Sequence, residues 1–536
     1  MPNPSLQTIT TRGIIVRMDI LITDSSPARQ ILSASSLTLG LPRPPRAFYR
    51  HGWQSWSLAA WTDLTPLPVQ RPTILHPMQT DPVYVNESLP NGSWLGAVEF
   101  ENGEILLLGA LGMDSHVQLD GRQFKGWYES SEGEWFVARG GEAAAFAKYS
   151  EELGKRFGRK SDKPAPRIWC SWYSLYTAID EPILRNIFDG LGDLPFDVLQ
   201  VDDGWQVKVG DWEANGKFSS GMAALADKIK STGRTAGLWL APLIAVKSSR
   251  LFREHPEWFL KDEKGKFVSA GFNWGEQVYA LDVTHPAAQE WLAALMKRVR
   301  AWGFNYLKLD FLYAGALPGR RHTNMPREAA ARVGMKTLRE SMDLDAFFLA
   351  CGMPFLPALG LCDAMRIGPD VAGEWESRRD AILLHNLSTP GVKNAIRTTV
   401  NRLWMDPLLH TDPDVAYFTS RANTLTPDQR RLLQDLARVC RFKATSDLPQ
   451  WLTADKRSQL RAFLEDSSDI KQIERYRFQI GSREVDFSSA MDLPAPPRGL
   501  VAAQARVIGW LGNQGWALQI LDQMGKHSLE KIKKEI

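Results

Sequence analysis

Residues 304–313 read FNYLKLDFLY, an apolar run that carries Lys308 and Asp310 two positions apart. Alternate side chains of a strand share a face, so the two charges point the same way as Tyr306, with Leu307, Leu309 and Phe311 on the other side. Other apolar runs end in the same manner: VLQVDDGW on Asp202 and Asp203, AMRIGPD on Arg366 and Asp370, AFFLACG on Cys351. Two carboxylates from different strands, facing each other across a pocket, suit cleavage of a glycosidic bond, one as nucleophile and the other as general acid/base. Asp310 is the better nucleophile, because Lys308 beside it favours the ionised form. Asp370 is then the proton donor, its pKa raised by the Asp310 charge; Arg366 pulls the other way if it touches Asp370. Asp202 and Asp203 are acceptors side by side, placed to take hydroxyl protons from one sugar.

Each group also has a plainer reading. Lys308 and Asp310 taken alone make a structural ion pair, DDG alone makes a turn, and Arg366 alone clamps its own loop at Asp370. Cys351 has no partner base and reads as a small pocket-lining group. What favours chemistry is the coincidence of charged groups at several strand ends, since burying charge is costly without a use for it.

The elements that must position these residues follow from the pattern. Residues 1–160 alternate short β-type segments such as GIIVRMDILI, EILLLGALG and EWFVARG with Gly, Pro, Asn and Asp, and show hardly one helical period, which predicts an antiparallel β-sandwich. After DKPAPR the texture changes. Over 164–466, eight strand-like segments (IWCSWYS, VLQVDDGW, TAGLWLAP, NYLKLDF, AFFLACG, AMRIGPD, RLWMDPLL, CRFKATSD) alternate with helical stretches, as in a (β/α)8 TIM barrel. The helix after ALDV is expected to have Thr284 as N-cap, Pro286 in its first turn and Gly303 as its stop, and Thr426-Pro427-Asp428-Gln429 opens another. Residues 467–536, with IERYRFQI, VDFSSAM and ARVIGWLG, predict a small C-terminal β domain ending in the charged tail KHSLEKIKKEI. In the barrel, Lys308 and Asp310 point at the axis from the end of their strand, the face where barrel enzymes carry their sites.

Composition narrows the function further. The 536 residues carry 64 Lys and Arg against 61 Asp and Glu, a net charge of +3, which implies neither a nucleic-acid partner nor a polyanion. The four cysteines, Cys170, Cys351, Cys362 and Cys440, have no paired framework or C-x-x-C spacing and read as reduced thiols. No signal-like or membrane-spanning run is evident, so a cytoplasmic protein without a membrane or nucleic-acid partner is expected. No metal is expected, because the nine histidines lack H-x-x-x-H-type spacing, and no cofactor is required.

These motifs resemble the retaining α-galactosidases of glycoside hydrolase family 36, clan D, and most closely their short-chain, melibiase-like branch. The resemblance runs from HGWQSWS at 51–57 through WCSWYS, VDDGW with GDW at 210–212, GLWLAP, NYLKLDFLYAGALPG, CGMPFLPALGLCDAMRIGPD and LWMDPLL. It implies Asp310 as nucleophile, Asp370 as acid/base, and Asp202 and Asp203 as ligands of the galactose 4- and 6-hydroxyls. Lys308, Arg366, Cys351, Tyr173 and Trp239 match residues lining the first subsite, although Tyr173 and Trp239, read as barrel-strand residues, are explained equally by packing. Trp56, rather than Trp53, matches an aromatic that the N-terminal domain inserts into the pocket. The region from 467 departs most from the family pattern.

The resemblance therefore predicts an exo-acting hydrolase of terminal α-galactosides. An α-N-acetylgalactosaminidase and an α-galactosyl transglycosidase would share both aspartates. A Schiff-base aldolase using Lys308 is disfavoured by the aspartate that keeps the lysine protonated, and a non-catalytic carbohydrate-binding barrel by the presence of both carboxylates.

Overall fold

The computed structural model describes residues 17–23, 25–65, 79–129, 133–377, 387–493 and 498–511. The N-terminal part holds two sheets. One has the order Arg17–Leu21, Ser36–Gly40, Gln123–Tyr128, Ser115–Asp120, Asn91–Ser93, and the other Arg29–Ala34, Gly133–Gly140, Ile105–Ala110, Leu95–Glu99, Ala47–His51, Ala59–Thr62. All ladders are antiparallel except that of the first strand with Ser36–Gly40, which is parallel. The sheets face each other: the Phe48 and Phe124 rings meet edge to face at 5.7 Å, and a Cβ on Gly126 would come within 2.7 Å of the Trp135 ring. Alternation is visible in SLTLG, where Leu37 and Leu39 are buried and their neighbours half-buried.

A helix, Glu142–Phe157, packs on the second sheet and corrects the expectation of an almost helix-free N-terminal region. Ala145, Phe146, Tyr149 and Leu153 lie on one buried face at helical spacing. Tyr149 fits over Gly109, where a Cβ would come within 2.4 Å of its ring, and its hydroxyl donates to Ala110 O at 2.7 Å.

Eight parallel strands follow in chain order: Arg167–Cys170, Val198–Val201, Thr235–Leu240, Tyr306–Leu309, Phe347–Ala350, Ala364–Arg366, His410–Asp412 and Lys443–Thr445. Each pairs with the next as far as the seventh, and the first pairs with the eighth. Between the seventh and eighth, Ala416 N–H donates to Ala444 O at 2.8 Å. This cyclic order in a curled parallel sheet is consistent with a TIM barrel. The seventh strand corrects the sequence reading: Leu403–Met405 of RLWMDPLL is a 3-10 turn, and the strand is the polar His410–Asp412.

The helix Pro286–Trp302 starts from His285, not Thr284, whose hydroxyl instead donates to Asp282 Oδ1 at 2.7 Å. Gly303 ends that helix with φ 95°, a left-handed position suited to glycine. The Thr426–Gln429 capping box is present at the start of Pro427–Cys440. Near the C-terminus, Ile470–Glu474, Arg477–Ile480 and Arg483–Asp486 form a three-stranded antiparallel sheet. The stretch ARVIGWL, expected as a strand, lies within the helix Gly499–Leu511, and KHSLEKIKKEI lies outside the described residues.

Candidate active site

The charged residues singled out in the sequence gather at the C-terminal ends of the parallel strands. Asp202 and Asp203 follow the second strand, Asp310 the fourth and Cys351 the fifth, while Arg366 closes the sixth and Asp370 stands four residues beyond it. Trp239 is on the third strand. Tyr173 is not on a strand, because the first one ends at Cys170 and Tyr173 sits on the short helix Trp172–Leu175. All of these except Asp370 are buried. Trp56 arrives from the N-terminal part: its indole packs against Phe311 and Tyr313 at 5.8 and 6.2 Å between centroids, and its N–H points to Asp370 Oδ1 at 3.5 Å, the long limit of a hydrogen bond. Trp53 is fully buried beneath, against Tyr313 and the Arg327 guanidinium.

Lys308 does not pair with Asp310. Its ammonium bonds Asp202 Oδ2 at 2.9 Å, between side chains 7% and 2% exposed. Burial, the largest single influence, favours loss of the proton, but the Asp202 charge and the Cys170 and Cys351 sulfurs together outweigh it and hold the Lys308 pKa well above its ordinary value. Asp202 is held further by Gln200 Nε2 at 2.6 Å and by the Asp203 N–H on its other oxygen at 2.9 Å. Asp203 accepts from Gln206 Nε2 at 2.5 Å and from Trp274 Nε1 at 2.8 Å. Burial pushes the Asp203 carboxyl up to about 6 in spite of these donors.

Asp310 takes the Trp239 indole N–H on Oδ2 at 2.9 Å and the Phe311 N–H on Oδ1 at 2.8 Å. Burial raises its pKa; Lys308 and the Trp239 hydrogen bond oppose the rise, and the Asp370 charge adds to it. Lys308 thus favours the ionised carboxylate as expected, but desolvation outweighs it.

Arg366 does touch Asp370, with Nη1 to Oδ1 at 3.2 Å. It also binds two carboxylates that sequence reasoning missed: Asp412 through Nε at 2.7 Å and Asp414 through Nη2 at 2.8 Å. Asp414 accepts from the Tyr173 hydroxyl and from the N–H of Val371, the residue after Asp370, at 3.1 Å. Burial pushes Asp414 up to about 7 against the pull of Arg366. Burial also raises the Cys351 thiol well above its usual range, as suits a lining group. The signal for Asp414 was the string TDPD, which runs out of the true seventh strand; Trp274, on the turn between Ser269–Asn273 and Glu276–Ala280, carries none.

Backbone strain concentrates here. Tyr176, Trp274, Phe311, Ala372 and Asp414 are five of the nine non-glycine residues with positive φ among the described residues. Such conformations cost about 1–3 kcal/mol each and persist where the surroundings dictate them. In chemical terms the site holds Asp310 as a buried, donor-fixed carboxylate at the end of the fourth strand, Asp370 with its side chain 36% exposed, and further buried, donor-held carboxylates around them, of which Asp202 and Asp203 can accept from hydroxyl groups.

Known proteins place this geometry in context. The Melibiase family model matches residues 129–336. The solved structure of TtGalA, an α-galactosidase from Thermus thermophilus in complex with p-nitrophenyl α-D-galactopyranoside, is 42% identical, with a TM-score of 0.82 over 87% of this chain and 95% of that one. AgaA of Geobacillus stearothermophilus, at 16% identity and a TM-score of 0.55 over 81% of this chain and 63% of that one, shares the fold. Among curated sequences, Alpha-galactosidase AgaA of that organism is 30% identical over 122 residues, 21% of this chain and 17% of its own length. Probable alpha-galactosidase G of Aspergillus terreus is 34% identical over 113 residues, 18% of this chain and 16% of its own. The matched segments thus span less than a fifth of these two curated relatives. On the near full-length match to the Thermus structure, the chain belongs to the melibiases of glycoside hydrolase family 36.

Proposed function

We propose that this glycoside hydrolase is a retaining exo-α-galactosidase. The observation that carries the galactose assignment is the 42% identity over 95% of TtGalA, which was solved with p-nitrophenyl α-D-galactopyranoside and, in a second structure, with stachyose. In this reading the terminal galactose enters with its 4- and 6-hydroxyls donating to Asp202 and Asp203, while Lys308 donates to the sugar from beside Asp202. Tyr173, Trp239, Cys351, Arg366 and Trp56 line the subsite. Asp310 attacks the anomeric carbon, and Asp370 gives its proton to the departing glycosidic oxygen. The resulting β-galactosyl ester on Asp310 is attacked by water, which Asp370, now a base, deprotonates. The sugar leaves with its α configuration, and Asp310 and Asp370 return to their starting states. No cofactor takes part.

The same proposal includes the closed (β/α)8 barrel over 164–466, the N-terminal β-sandwich over 1–160 and a C-terminal unit over 467–536. It also includes action in the cytoplasm, in keeping with four cysteines that are all free thiols and with the finding that no described helix is long and apolar enough to cross a membrane.

The test is hydrolysis of 4-nitrophenyl α-galactoside beside the α-N-acetylgalactosaminide, with the first sugar anomer released read by NMR. Cleavage of the galactoside with initial α-galactose is expected. Initial β-galactose, or preference for the acetamido sugar, would overturn the reading.

A further inference from the structure

Arg402 stands just past the helix Val392–Val400 and is fully buried. Its hydrogen bonds among the described residues all go to backbone carbonyls. Nη1 donates to Ser55 O at 3.2 Å and Ile367 O at 2.8 Å; Nη2 donates to Gly52 O and Ser57 O, each at 3.0 Å. Its guanidinium carbon lies 4.6 Å from the centre of the Phe355 ring. Burial lowers its pKa to about 9. A buried guanidinium held by carbonyl dipoles and one ring face, with no carboxylate bonded to it among the described residues, is a costly feature of a fold, which invites the question of what it holds.

Three of the four carbonyls belong to GWQSWS, the loop that carries Trp56, and they include both of its ends. The fourth belongs to Ile367, directly after Arg366 and three residues before Asp370. One planar fork thus ties the N-terminal loop to the strand end that leads to the half-buried Asp370. Two further contacts seat the same loop: Gly352 N–H donates to Ser55 Oγ at 3.0 Å, and a Cβ on Gly352 would lie 2.3 Å from the Trp56 ring. The loop also closes on itself, with the Trp56 N–H on Gln54 Oε1 at 2.9 Å and the Gly52 N–H on Leu58 O at 2.9 Å.

We propose that Arg402 is a positioning residue, whose guanidinium pins the Gly52–Ser57 loop to Ile367 and thereby sets Trp56 against Asp370 at the mouth of the site. Arg402 touches no substrate and acts through Trp56. The functional consequence rests on the α-galactosidase reading, but the mechanical link does not, so two readouts separate them.

The experiment uses full-length Arg402→Lys and Arg402→Met. Lysine keeps the charge but cannot span both pairs of carbonyls; methionine removes the buried charge. In hydrogen exchange read by mass spectrometry, peptides covering 52–58 are expected to exchange faster in both variants, while peptides from the parallel sheet do not. With 4-nitrophenyl α-galactoside, kcat/KM should fall roughly tenfold to a hundredfold, as expected for a displaced active-site group. Combined with Trp56→Ala, either variant should add little to the loss from Trp56→Ala alone, since coupled residues are non-additive. Unchanged exchange over 52–58, or fully additive losses, would overturn the proposal. So would failure of both variants to fold, because Arg402 would then serve the fold and not the loop. Loosened exchange in an enzyme inactive on every α-galactoside would keep the positioning role and sink the functional reading instead.

Discussion

Asp310 directly follows its strand, with both oxygens fixed by N–H donors and the residue 8% exposed. Asp370 stands four residues past its strand with 36% of its side chain exposed, held by Arg366 on one side and approached by Trp56 on the other. The difference matches what the two steps of the proposed reaction need. A nucleophile must meet one carbon along one line, so rigidity and desolvation serve it. An acid/base must reach the leaving oxygen and then a water, so it needs an open side and adjustable neighbours. The Arg366, Asp412, Asp414 and Tyr173 network supports the second carboxylate as the Trp239 and Phe311 N–H groups support the first.

The largest expected effect comes from removing the fixed carboxylate. Asp310→Asn should lower kcat by roughly 10⁴-fold or more for every leaving group, as for other covalent nucleophiles, which steady-state rates on an aryl and an alkyl galactoside would measure. Asp370→Ala should separate those substrates. The alkyl galactoside should lose about 10²–10⁴-fold, the range for general acid catalysis, and the nitrophenyl galactoside much less. Equal losses on both would erase the contrast between the two aspartates. Trp239→Phe deletes one donor to Asp310 and is expected to cost about 1.5–3 kcal/mol, or roughly 10–150-fold in kcat, while Asp370-dependent leaving-group effects stay as they were.

Asp203 gives a milder, pH-dependent effect. Its folded pKa of about 6 lies above the ordinary 3.8, so the native state holds the proton more tightly than the unfolded chain between those values. Stability contributed by this group is therefore present below that window and falls as pH rises through it. In the proposed reading galactose needs the ionised acceptor, so its inhibition constant should rise roughly fivefold from pH 6 to pH 5, and Asp203→Asn should flatten the profile. A flat profile in wild type would contradict the assignment. The smallest effect is expected far from both aspartates: Arg477→Ala, in the exposed C-terminal sheet, should leave kcat and melting temperature unchanged within error.

Much of this site could be read from the sequence because barrel strands end where their apolar runs end, and the charges stand at those ends. Seven of the eight strands fall where the pattern predicts. The seventh does not, because His410–Asp412 is a buried strand of polar residues, its Asp412 held by Arg366, and the apolar LWM nearby was the stronger signal. Missing that strand also concealed Asp412 and Asp414. The partner of Lys308 was hidden for another reason: Asp310 and Asp202 are both carboxylates within reach of a barrel-facing lysine, and spacing along one strand says nothing about the neighbour two strands away. ARVIGWL read as a strand from its valine, isoleucine and tryptophan, yet it lies within a helix. The helix Glu142–Phe157 had its period in plain view, with Ala145, Phe146, Tyr149 and Leu153, but sat among β segments.

The claim that most needs testing is that Asp310, and not Asp370, forms the bond to the sugar. The direct measurement is azide rescue of Asp310→Gly on 4-nitrophenyl α-galactoside, with the product identified by NMR. Azide in the space of the missing carboxylate should restore turnover and yield β-galactosyl azide, the inverted product. If Asp310→Gly instead gives the α-azide, or if only Asp370→Ala is rescued to the β-azide, the roles of the two aspartates are reversed and the account fails.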